Sequence, residues 1–257
     1  MKKLTKLTAL ALALVMVLGL LTGCGSSNAD SNTDGSGDTA KLVVATSPDF
    51  PPFESLEGGE VVGIEVDILK LIAEKLGMEL DIQQMDFDSV IPGVQTGKFD
   101  VGMSGITVTD KRKENVDFSS VYFMAAQAIV VSADSGITGK ADLEGKKVSV
   151  QTGTTAEDYC MANGYEVLAF TANNDAASAL TSGKVDAWVV DNEVALAMAP
   201  DLGLTVLDEA MTAEPYAFAF QKGSELVAPF NEALDALLAD GTVEKIFSDY
   251  GVTYVGP

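Results

Sequence analysis

From Lys41 to Pro257 the chain alternates short apolar runs with amphipathic stretches, and this alternation constrains the fold more than any other feature. Strand-length apolar runs between helix-length amphipathic segments read as α/β architecture. Leu42 to Ala45 is predicted as a strand. Ile64 to Leu76 carries apolar residues at 64, 68, 69, 71, 72 and 76, a helical spacing that Gly77 closes. A short helix is expected over 88–95, a strand over 100–104 and an apolar run over 126–131. Strands are also expected over 147–151, 185–190 and 216–220. Helices are expected after Gly153-Thr154-Thr155, over 174–181, from about Asp191 to Ala199, and over 225–239 and 243–250. No tandem repeat is visible. Two polar stretches, 132–136 and 212–215, read as crossings between lobes, which makes the second lobe an insertion in the first. Lobe 1 is thus expected over 41–131 and 215–257, and lobe 2 over 132–214.

The residues before this region have a different character. Lys2, Lys3 and Lys6 precede an apolar run from Leu7 to Leu21, broken only by Thr8 and Gly19. That run is short for a membrane span and fits a signal-peptide core. Leu21-Thr22-Gly23-Cys24 follows and resembles the bacterial lipobox, in which the cysteine is lipidated and becomes the mature N-terminus. The resemblance implies a signal peptide over 1–23, a lipid on Cys24, and export to the outer face of a bacterial membrane, at the cell surface or in the periplasm. Residues 25–39 are Gly, Ser, Asn, Asp and Thr with a single Ala. Such a segment cannot bury a core, and 24–40 reads as a flexible tether.

Composition removes several chemistries. There are 38 acidic residues against 16 basic ones, a net charge of −22, and no histidine. A histidine-based triad and a histidine-ligated metal site are both excluded. A pI near 4.1 argues against nucleic acid as a partner. The acids are scattered and form no D-x-D-x-D-G loop, so neither a metal nor a cofactor is expected. Cys160 stands alone on a predicted helix and reads as a small buried residue.

One basic residue stands apart. Arg112 is the only arginine in a chain that otherwise uses lysine. A planar guanidinium binds a carboxylate in a fork that lysine cannot offer. By position alone it could equally be a surface residue of the Lys111-Arg112-Lys113 cluster. Its surroundings are Gly105-Ile106-Thr107-Val108-Thr109-Asp110-Lys111-Arg112, after an expected strand and at the start of a helix. This stretch resembles the G-x-T-x-T-x-x-R signature of the polar amino-acid family of ABC-transporter solute-binding proteins. Further blocks resemble the same family in order: 45–54, 63–68, 86–92, 95–100, 150–155 and 183–187. The resemblance covers nearly all of the folded region.

What the resemblance implies is specific. The fold would be α/β, with two Rossmann-like lobes joined by a two-stranded hinge, the type II periplasmic-binding-protein fold. The protein would capture a free L-amino acid and deliver it to an ABC transporter permease, acting as a monomer and not as an enzyme. Carried over by position, Arg112 would clamp the ligand α-carboxylate, assisted by Thr107, the Gly105 backbone, Thr154 and Thr155. Asp191 would take the α-ammonium, although by residue type and position alone the preferred reading is a helix N-cap. Phe50 and Phe87 would sandwich the ligand side chain, with Gln151 beside it. Phe53, Phe99 and Trp188 read as core.

Family members that bind cationic side chains often place an acid at the position of Ser47. Here Asp49, Glu54, Asp86 and Asp88 are the loop acids that could stand in. The acidic balance leans toward a neutral polar or basic ligand. Two alternatives remain at this point. One is an enzyme on the same fold, dehydratase-like or transglycosylase-like, with Glu65 or Glu157 as its acid. The other is an amino-acid sensor domain.

Overall fold

A computed structural model describes residues 40–257. The expected signal peptide, Cys24 and most of the tether lie outside these residues. Two five-stranded sheets carry the architecture. In the first, the order is Glu79–Gln84, Lys41–Thr46, Val101–Gly102, Ala219–Gln221, Val116–Phe118. In the second it is Glu166–Phe170, Lys147–Gln151, Ala187–Asp191, Gln127–Ser132, Leu204–Val206. Each sheet has three parallel strands on one side, and each is completed by antiparallel partners. Both lobes therefore have one topology, although no repeat is visible in the sequence. Strand pairing depends on apolar pattern and connection length, which many sequences satisfy.

The first crossing differs from the sequence expectation. Residues 127–131 are fully buried and pair antiparallel with Ala187–Asp191, so the apolar run belongs to the second sheet. The boundary at 131/132 is thereby displaced: the chain crosses at Phe123–Ala125. The return crossing is Glu214–Tyr216, paired antiparallel with Phe123–Ala125 as a two-stranded hinge. The single strand expected over 216–220 is thus two, because Tyr216 ends the hinge strand and Ala219–Gln221 enters the first sheet.

Helix Ile64–Leu76 buries Ile64, Val66, Ile68, Leu69 and Ile72, and ends on Gly77 in the left-handed conformation, as its periodicity predicted. Helices Val227–Ala239 and Thr242–Asp249 pack against it. Phe230 anchors the first of these, meeting Phe218 at 5.3 Å and Phe220 at 4.9 Å between ring centroids, both edge-on. Phe53 and Trp188 are fully buried, and Phe99 is buried. Cys160 is buried too, and burial pushes its thiol up to about 12, which makes it unreactive near neutral pH. Removing the Phe230 ring leaves a cavity that three elements cannot jointly collapse. Phe230→Ala is expected to cost about 3–5 kcal/mol, read as a lower urea midpoint.

Candidate functional site

The C-terminal ends of the parallel strands in both sheets face one cleft, where α/β sheets place ligands. Strand Val101–Gly102 runs into Ser104 to Thr107, Lys147–Gln151 into Gly153 to Thr155, and Ala187–Asp191 ends on Asp191 itself. The cleft encloses about 370 Å³, part of it open to solvent. Nine of the ten residues singled out in the sequence line it: Phe50, Phe87, Gly105, Thr107, Arg112, Gln151, Thr154, Thr155 and Asp191. Gly105 has a φ of 51°, and a Cβ there would stand 2.5 Å from the Phe50 ring. That position needs glycine both for its backbone and for its closeness to the ring.

Arg112 sits in a short helix capped by Thr109, whose Oγ1 accepts the Arg112 backbone N–H at 3.1 Å. Its guanidinium is fixed on three sides. Nη1 donates to the Thr107 carbonyl at 2.9 Å, Nη2 donates to the Gly153 carbonyl at 3.1 Å, and the group lies 5.5 Å from the Phe87 ring centroid. The Gly153 bond crosses between the lobes. Burial lowers the guanidinium pKa, and the nearby charges of Glu214 and Asp191 counter this. Arginine stays charged throughout.

Asp191 occupies the N-cap position of helix Asn192–Met198 but makes no side-chain cap. Its carboxylate instead accepts a hydrogen bond from the Tyr216 hydroxyl. Burial, and then the charge of Glu214, pushes the Asp191 carboxyl up to about 8. Arg112 acts in the opposite direction. Tyr216 is fully buried and stands 5.2 Å from Phe53 between ring centroids, so the hinge itself positions this carboxylate.

The second lobe supplies a capped turn. Thr154 Oγ1 accepts the Glu157 N–H at 3.1 Å and donates to the Gln151 carbonyl at 2.7 Å. Glu157 Oε2 also accepts the Gly153 N–H at 2.7 Å, one residue before the cap, and ties the turn to the helix. The Thr154 hydroxyl is therefore used by the turn. Thr155 accepts from Gln127 Nε2 at 2.9 Å and keeps its own hydroxyl proton for the cleft. Gln151 is held at both ends: Nε2 donates to the Thr171 carbonyl at 3.1 Å, and Oε1 accepts Asn173 Nδ2 at 2.9 Å.

Ser47 is the residue that does not line the cleft. Its hydroxyl donates to Asp49 at 3.0 Å and its backbone N–H donates to Ser104 Oγ at 2.8 Å, so Ser104 reaches the cleft in its place. None of the loop acids Asp49, Glu54, Asp86 and Asp88 is among the lining residues. Glu54 is fully buried, and burial with the charge of Glu65 holds its carboxyl well above the usual range. Glu65 accepts the Gly105 N–H at 3.0 Å and the Tyr122 hydroxyl, fixing the loop from behind. One signal for Glu65 was present: it lies three, four and seven residues before Ile68, Leu69 and Ile72, on the buried face. Ala156, Ser104, Asn173, Val189 and Val190 complete the lining, and nothing in the residue types of the last four marked them.

Two lobes, a paired crossing and one interlobe cleft with opposed charges define a two-lobed binding protein of the type II periplasmic fold. The chain belongs to the bacterial extracellular solute-binding proteins, family 3, whose model matches residues 42–253. It is 37% identical to the arginine-binding extracellular protein ArtP of Bacillus subtilis, over 88% of this chain and 90% of that one. It is 33% identical to the ABC transporter glutamine-binding protein GlnH of the same organism, over 95% and 97%. Among solved structures it is similar to an ancestral arginine-binding protein bound to glutamine, with 43% identity and a TM-score of 0.78 over 82% of this chain and 97% of that one.

Gly153 is a point of close approach between the lobes beside the site. Its φ is 79°, and a Cβ there would lie 3.1 Å from Asp88 Cβ in the other lobe. Gly153→Ala is expected to weaken ligand binding roughly tenfold by opposing closure and straining the turn, checked by calorimetric titration.

Proposed function

We propose that this protein captures a polar, neutral or basic L-amino acid between its lobes and presents it to an ABC permease. The observation that carries this reading is the placement of Arg112 and Asp191 in one cleft. A guanidinium and a carboxylate there match the carboxylate and ammonium of a zwitterion. Arg112 receives the α-carboxylate with Thr107 and Thr155, the Gly105 N–H being held by Glu65, and Asp191 receives the α-ammonium. Phe50 and Phe87 flank the side chain. Arg112 is the sole basic residue among those lining the cleft, which disfavours an acidic ligand. Buried Glu214 adds a second negative charge near Asp191. Arginine and glutamine, named in the relatives, are the first ligands to test. Arginine suits the acidic field, and glutamine suits the amide-lined end at Gln151 and Asn173.

Binding without turnover fits the same residues. The two acids that an enzyme reading needs are otherwise engaged: Glu65 by Tyr122 and Gly105, and Glu157 by Gly153. The protein acts outside the cytoplasm, as a monomer, held to the membrane by a lipid on Cys24. That anchor rests on the lipobox resemblance alone.

Two outcomes are expected. Arg112→Ala or Asp191→Ala leaves one charge of the ligand unpaired and weakens binding by roughly 2–5 kcal/mol; unchanged affinity in calorimetry excludes that residue's role. The second concerns pH. Asp191 titrates at about 8 without ligand, and an ammonium partner favours its ionised form. Binding therefore releases a proton below that pH, and affinity falls as pH drops from 8, by up to about tenfold per unit. Titrations at pH 7 in buffers of different ionisation enthalpy read the proton directly.

A further inference from the structure

Asp49 has no part in the site described above, yet it makes a short polar contact between the lobes. It belongs to the short strand Asp49–Phe50 of a three-stranded sheet beside the first lobe. Its carboxylate accepts the backbone N–H of Asn173 at 2.7 Å. Asn173 opens the nine-residue helix Asn173–Thr181 in the second lobe, which has no side-chain cap of its own. The same carboxylate lies 3.4 Å from Gln151 Nε2 and takes the Ser47 hydroxyl at 3.0 Å. A free helix N-terminus carries unsatisfied N–H groups and a positive end of the helix dipole. Here that end meets a carboxylate from the opposite lobe, and does so only when the lobes are together. The interlobe ion pair of Lys111 with Asp158, by contrast, is exposed and screened by salt.

We propose that Asp49 is the closure latch of this protein: it caps the Asn173–Thr181 helix across the cleft and sets how long a bound ligand is retained. The inference rests on the cleft being the ligand site. Asp49 is a positioning residue, not a ligand contact. The latch acts on the closed state whatever side chain the ligand carries. It also explains why an acid stands at 49 while Ser47 leaves the cleft: Ser47 orients the latch.

The test is stopped-flow kinetics on the protein with arginine and with glutamine. Asp49→Ala is expected to raise the dissociation rate roughly 10- to 100-fold, by the same factor for every ligand that binds, with association within about twofold. The melting temperature of the ligand-free protein is expected to stay unchanged. A second pair isolates the N–H itself. Asn173 is the first helical residue, where proline is tolerated, and Ala172 before it is already extended at ψ 144°. Asn173→Pro removes the donor, whereas Asn173→Ala keeps it. The proline variant is expected to dissociate faster than the alanine variant, and adding Asp49→Ala to it is expected to change little. Unchanged dissociation in Asp49→Ala overturns the latch. A loss confined to arginine overturns it as well, because Asp49 would then pair with the ligand. If the unaltered protein binds no amino acid, the reading of the cleft fails before the latch is reached.

Discussion

The structure turns on one guanidinium held between two lobes. Arg112 donates to a carbonyl in its own lobe and to the Gly153 carbonyl in the other, with a phenyl ring beside it. Asp191 shares the cleft on the second sheet, braced by a hinge tyrosine. Asp191 is buried and Arg112 half-buried, so each needs compensation that a surface pair does not. A zwitterion supplies both compensations at once.

The supports for this arrangement are ordinary folding devices placed at strand ends. Thr109 caps the helix that carries Arg112, and Thr154 caps the helix below Gly153, whose N–H Glu157 accepts. Glu65 holds the Gly105 loop from the buried face of the first helix. Each local choice serves both secondary structure and site, which explains how residues on loops stay in register across a cleft.

Legibility in the sequence followed the strength of each physical signal. Helix Ile64–Leu76 was readable because its periodicity and terminal glycine agree. The apolar run at 126–131 was visible, but neither its extent as the strand Gln127–Ser132 nor its place in the second lobe was, since an apolar run does not say which sheet it joins. The cleft residues came mainly through family resemblance; from residue type alone, Arg112 could have been a surface cation and Asp191 a cap. The absence of a side-chain cap at Asp191 decides that point. Ser47 was placed in the cleft by position, whereas its hydrogen bonds turn it toward Asp49 and leave Ser104 facing inward. The contact of Asn173 with Asp49 was invisible because it is made by a backbone N–H, which no side-chain pattern records.

The central claim is that the cleft recognises both charged ends of a free amino acid. Titration with the best-binding amino acid, its α-carboxamide and its N-acetyl form tests this most directly. Either blocked form is expected to bind at least about 100-fold more weakly, since each leaves Arg112 or Asp191 without its partner. Equal affinity for a blocked form would contradict it.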